Sequence, residues 1–303
     1  MLEFYPEGQL VKTEENKKIL SSPLSILEAF NNKKILEAQA IMCDSEHNLI
    51  VNLGCMKGKI PRLEGDLGIE DGSVRDIAVI SKVNKPVCFV IKKLKENLAI
   101  LSRKKAQEIC RENYILKLTP GDIIPAKVTH LEPFGVFLDI GCGIISFLPI
   151  DSISISRISH PKERFSIGMD IKVIVKSIEN SRVNLTHKEL LGTWEENSDL
   201  FSIGETVPGI IRSVEEYGAF IELTPNLAGL SEIKENIYPS QQVSVYIKNI
   251  IPEKMKIKLV IIDTFESKPI VSVPKYFYQK NNIKKFVYSP KYSNKLIQTE
   301  FYP

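Results

Sequence analysis

Phe134-Gly135-Val136-Phe137 and Tyr217-Gly218-Ala219-Phe220 repeat one pattern: an aromatic, a glycine, a small apolar residue and a second aromatic. On an alternating strand, residues three apart point to opposite faces. A glycine at the second position permits a bulge that brings both rings onto one face. Two rings side by side on an exposed sheet form a stacking platform for unpaired bases. The competing reading puts the rings in a core, and a second copy in the same context weighs against it.

That context is an internal repeat. A shift of about 83 residues sets Gly121-Asp122 on Gly204-Glu205 and Phe137-Leu138-Asp139-Ile140 on Phe220-Ile221-Glu222-Leu223. A shift of about 87 the other way sets Ile50-Val51-Asn52-Leu53-Gly54 on Phe137–Gly141. This third copy is degenerate, with His47 and Ile50 where the aromatics stood. Its candidate strands are Ala38–Met42, Leu49–Leu53, Lys57–Pro61, Ile77–Val83, Phe89–Leu94 and Ala99–Ser102. Repeat two reads as strands Ile123–His130, Val136–Ile140, Ile144–Leu148, Asp170–Ile178 and Arg182–Thr186, with a long excursion, Asp151–Gly168, after the third.

Five strands with such an excursion fit a small closed barrel. The expected class is mainly β: three tandem five-stranded OB-fold barrels, the first degenerate, joined by short helical linkers. The expected boundaries are a helical lead-in at 1–33, barrels at 34–105, 119–189 and 201–263, linkers at 106–118 and 190–200, and a basic aromatic tail at 264–303. In the lead-in, Ser22-Pro23 opens a helix whose apolar stripe is Leu24, Leu27 and Phe30. Trp194 is expected to dock on a barrel as a core anchor. The tail interleaves lysines with aromatics, which suits either single-strand binding or an extended or hairpin strap with its lysines outward.

The 303 residues leave room for two or three domains, and 43% hydrophobic with 25% charged residues is ordinary for a globular chain. A net charge of +3 permits a nucleic-acid partner without requiring one. Five scattered cysteines without C-x-x-C, no secretory segment and no membrane-length apolar run point to the cytoplasm. His47, His130, His160 and His187 show no metal-ligand spacing, and phosphate-cradling and nucleophile-elbow motifs are missing. No catalytic residue, metal or cofactor is expected, and the chain reads as a non-enzyme.

Gly121-Asp122, Lys127-Val128, Phe134–Leu138 and the closing Val183-Asn184-Leu185-Thr186 resemble the repeat of the ribosomal protein S-one family. Repeat three adds Gly209-Ile210-Ile211, Tyr217–Ile221 and Leu230-Ser231-Glu232, and the three-copy layout resembles the short S-one-like proteins of low-GC Gram-positive bacteria. The resemblance implies barrels that bind single-stranded RNA. Its binding aromatics fall on Phe134, Phe137, Tyr217 and Phe220, and its basic residue opening strand five on Arg182 and Lys256. Lys127, and the outward-facing Tyr246 and Lys248 of repeat three, join the candidate RNA-binding set. The family's strand-three histidine is absent: Ser146 or Pro149 replaces it in repeat two and Gly229 in repeat three, which implies a lost contact in each. The expected function is single-stranded RNA binding in translation, at the small ribosomal subunit or on messenger RNA, by a monomer that makes no membrane contact. The alternatives are a protein-interaction scaffold, for which the degenerate first barrel argues, and a binder of single-stranded DNA as well as RNA.

Overall fold

The computed structural model describes residues 4–179, 182–266 and 273–302. The parts of the expected lead-in and tail at 1–3, 267–272 and 303 lie outside them. Helices α1 (Glu14–Ser21) and α2 (Pro23–Asn31) precede the first barrel. That barrel comprises β1 (Leu36–Cys43), β2 (Leu49–Asn52), β3 (Lys57–Ile60), a short helix α3 (Asp76–Ile80), β4 (Pro86–Lys95) and β5 (Leu98–Ser102). Helix α4 (Arg103–Asn113) leads to the second: β6 (Ile123–Glu132), β7 (Gly135–Asp139), β8 (Ile145–Pro149), β9 (Asp170–Glu179) and β10 (Arg182–Thr186). After α5 (Trp194–Ser198), the third comprises β11 (Thr206–Glu215), β12 (Gly218–Thr224), β13 (Leu227–Ser231), β14 (Gln242–Ile251) and β15 (Lys256–Phe265). A hairpin of β16 (Lys285–Val287) and β17 (Gln298–Glu300) follows.

All three barrels are closed, and in each the third strand pairs with the fifth in parallel. Alternation decides which side chains fill them. Along β15, Ile257, Leu259 and Ile261 are buried while Lys256, Lys258 and Val260 are exposed. On β14, Val243, Val245 and Ile247 point inward and Tyr246 and Lys248 outward. Each inward branched side chain contributes roughly 1.5–3 kcal/mol of burial.

The described residues form two compact units. One holds residues 4–118 with 125–127 and 139–145; the other holds 119–124, 128–138 and the chain from Ser146 on. In the first unit, the expected strand Ile77–Val83 is instead helix α3, preceded by extended Arg75 and burying Val79. Its apolar run is too short for periodicity to separate the two states. The expected stripe of α2 also turns: Leu24 and Leu27 are exposed, and Ile26 and Ala29 enter the core of barrel one. Ser22 precedes the helix as expected but makes no side-chain cap.

The same unit buries a charge cluster. Arg103, 1% exposed, donates from Nε to Glu7 Oε1 at 2.6 Å and pairs with Asp66; Lys82 Nζ reaches Glu7 Oε2 at 2.6 Å. Burial opposes the Glu7 charge, yet Arg103 and Lys82 hold its carboxyl down at about 2. Asp139 accepts from the N–H groups of Glu7, Gly141 and Gly143. Burial, and then the Glu7 charge, push the Asp139 carboxyl up to about 6.

In the second unit, the tail resolves into a strap. Phe286, Tyr288 and Phe301 join Trp194 and the barrel-three core. Trp194 N–H donates to Tyr288 O, Phe277 N–H to Leu190 O, and Tyr288 O–H to Asn226 O at 2.6 Å. Most tail aromatics are thus spent on packing; Tyr292 and Tyr302 remain exposed, as do Lys275, Lys280, Lys284, Lys285, Lys291 and Lys295. Among the described residues, no helix is long and apolar enough to cross a membrane.

Candidate nucleic-acid interface

Phe134 ends the turn between β6 and β7, and Phe137 is the third residue of β7. Their ring centroids are 6.4 Å apart, edge to face at 88°. Tyr217 and Phe220 repeat the arrangement at 6.1 Å and 89°. Phe134 is 58% and Tyr217 70% exposed, while Phe137 and Phe220 are half-buried beneath them. Each pair therefore offers one upright ring and one seated ring at the surface, a geometry preferred by aromatic quadrupoles.

The mechanism differs from the expected glycine bulge. In barrel three the extra residue is Arg212 on the facing strand: Ile211 pairs with Ile221, but Ser213 pairs with Phe220. The glycines serve close approach. A Cβ on Gly135 would lie 2.5 Å from Phe147 Cζ, and one on Gly218, whose φ is +153°, would lie 2.6 Å from Ser231 O.

Phe147 is the residue sequence reasoning missed. Its ring sits 5.7 Å from Phe134 and 5.3 Å from Phe137. His130 adds a fourth ring, 6.4 Å from Phe137. Ser146, read as the replacement for a strand-three histidine, points inward and donates to Val183 O. Phe147, one residue after Ser146, is the strand-three side chain that reaches the Phe134–Phe137 pair. Alternation along β8, with Ser146 and Leu148 buried, was the signal for it. In barrel three the residue opposite Phe220 is Leu230, so that pair has no third ring from strand three.

Strand register places cations beside the rings. Phe147 pairs with Asn184, and Arg182 lies two residues earlier on the same face of β10, exposed. Leu230 pairs with Lys258, which pairs with Asn249; Lys256 lies two residues from Lys258 on that face. Lys248 is the bulged residue of β14 next to this row. Tyr246 stands between Thr206 and Val260, in a different row from Phe220. Lys127 is used otherwise: it is half-buried, and its Nζ donates to Glu7 O at 2.6 Å. His187, at the end of β10, is buried and makes no part of the surface; burial lowers its pKa to about 4. Among the described residues, no cluster of His, Cys, Asp and Glu is arranged to hold a metal ion.

The arrangement offers partly exposed rings with basic side chains in the neighbouring strand rows. Comparison with known proteins agrees with this layout. The family model described as "S1 RNA binding domain" matches residues 117–188. The small ribosomal subunit protein bS1 of Staphylococcus aureus (strain COL) is 30% identical over 266 residues, 80% of this chain. The bS1 of Staphylococcus haemolyticus (strain JCSC1435) is 29% identical over the same length. The chain spans 65% of the length of these relatives. A crystal structure of a multidomain protein with nucleic acid binding domains from Streptococcus pneumoniae TIGR4 covers 76% of the chain at 12% identity, with a TM-score of 0.26. Residues 117–188 thus match the S1 RNA binding domain family, and the chain around them is similar to the bS1 ribosomal proteins.

Proposed function

We propose that this chain binds single-stranded RNA, without catalysis, on the outer faces of barrels two and three, and that it does so in translation at the small ribosomal subunit, in the cytoplasm. One observation carries the reading: the same ring pair, flanked by cations from strand five, stands on both barrels. A stacked base contributes about 1–3 kcal/mol and tolerates any sequence, while the cations add a salt-dependent share. Arg182, Lys256, Lys258 and Lys248 supply that share; Lys127 and the strap aromatics are assigned to structure.

The test is fluorescence-anisotropy titration of a labelled uridine- and adenine-rich RNA with wild type and with Phe134→Ala/Phe137→Ala/Tyr217→Ala/Phe220→Ala, at two salt concentrations. The folded variant is expected to lose at least about tenfold in affinity, since one lost base stack already amounts to that. Equal affinity of wild type for duplex and single strand would overturn the stacking mechanism.

Barrel one favours a second role. Its positions matching the rings hold His47 and Ile50, and Ile50 is paired within the sheet to Lys59. This barrel is read as a docking element that contacts protein.

A further inference from the structure

The long excursion of barrel two ends at the ring pair of barrel three. Ile155 N–H donates to Asn226 Oδ1 at 3.1 Å, and Ser156 N–H to Pro225 O at 3.0 Å. Farther along, Glu163 and Arg164 enter a buried ion network with Arg212 and Glu222 of barrel three. Fixed this way, residues 155–159 line a cleft of about 620 Å³ together with Tyr217, Phe220 and Ser213. That volume lies in the range of sites that enclose a small organic ligand.

Two features of the cleft bear on what fills it. The Tyr217–Phe220 pair lines it, a surface for a flat ring. Arg157 and Glu215, both exposed, also line it. The Glu163 carboxylate, also a lining group, is engaged by Arg212. A phosphate is therefore drawn to Arg157 and repelled by Glu215.

We propose that this cleft is a composite nucleotide site: a base of single-stranded RNA stacks on Tyr217 and Phe220, and Arg157 of barrel two holds the adjoining phosphate. The inference rests on the RNA-binding reading above and adds to it that barrel three binds only with the help of barrel two. Barrel two then has two duties, one on its own rings and one at its neighbour's.

The full-length chain is titrated with labelled oligouridine and oligoadenosine of about 16 nucleotides, the upper site size for one such barrel. Arg157→Ala is expected to weaken binding about three- to tenfold and to lower the salt slope by about one, as for a lost phosphate contact. Glu215→Gln is expected to strengthen binding. In the Tyr217→Ala/Phe220→Ala background, Arg157→Ala is expected to add less than about twofold, because groups in one site are not additive. An equal loss from Arg157→Ala in both backgrounds, or none in wild type while the ring variant loses affinity, overturns the composite site and leaves the RNA-binding reading intact. A wild type that binds neither oligonucleotide overturns both.

Discussion

Four of the rings at the candidate interface are legible in a window of four residues, because the aromatic-glycine spacing is local. Phe147 is not, since its role depends on which strand lies beside β7 and in what register. Lys127 misleads for the same reason: its partner, the Glu7 carbonyl, is 120 residues away in sequence. Gly135 ties the two cases together. Its missing side chain is the space over which Phe147 reaches the Phe134–Phe137 pair. Gly135→Ala forces the Phe147 ring or the β8 backbone to move, with an expected cost of about 1–3 kcal/mol, the usual range for overpacking. Chemical denaturation measures that cost, and RNA affinity in the same variant should fall with the displaced ring. Unchanged stability and affinity would show that the ring's seat does not depend on the glycine.

Strands are the elements that sequence alternation reveals best, and barrels two and three follow their patterns closely. Where a short apolar run lacks a clear period, as in α3, or where the buried face depends on the partner, as in α2, the reading fails. The strap is the clearest such case: aromatics among lysines suit a packed strap as well as a bare binding tail. Its seat includes a titrating group. His187 Nδ1–H donates to Ile153 O at 2.8 Å, which leaves Nε2 toward the Tyr276 hydroxyl at 3.4 Å. Burial, the leading cause, lowers the His187 pKa from 6.5 to about 4. Between those values the unfolded chain holds a proton that the folded chain refuses. Stability is therefore full above pH 6.5 and falls as pH drops toward 4, by up to about 1.4 kcal/mol per pH unit. Asp139, in the other unit, acts in the opposite sense: its raised pKa removes stability as pH rises from 3.8 to about 6. The two are separated by comparing wild type with His187→Gln. Urea midpoints followed by the single tryptophan, Trp194, should lose this part of their pH dependence in the variant. A dependence that survives unchanged would place the titration elsewhere.

At the scale of the molecule, the tandem barrels are readable from the repeat, but their joint is not. Glu222 belongs to a strand of barrel three, and the arginines around it come from both barrels: Arg212 gives it two hydrogen bonds, at 2.7 and 3.1 Å, and Arg164 a third. Glu163 closes the network on Arg212. Nothing in the local pattern of either repeat pairs residues 58 apart. Removing one partner from such a network leaves buried charge uncompensated, which costs about 3–5 kcal/mol. Glu222→Ala is expected to lose that much and to split the melting of barrels two and three, seen calorimetrically, into separate steps. A variant that keeps a single transition at the wild-type temperature would show that the ion network does not couple them.

That joint has a consequence for length measurement. Two weak grips on a flexible tether accept strands of any length with gradually changing avidity, because the tether adjusts. Two grips on a fixed joint behave as calipers. An RNA too short to span both ring pairs gains nothing from the second, and one just long enough gains it all at once. Affinity plotted against oligonucleotide length should rise in a step, and the position of the step would be a property of the ion network rather than of the rings.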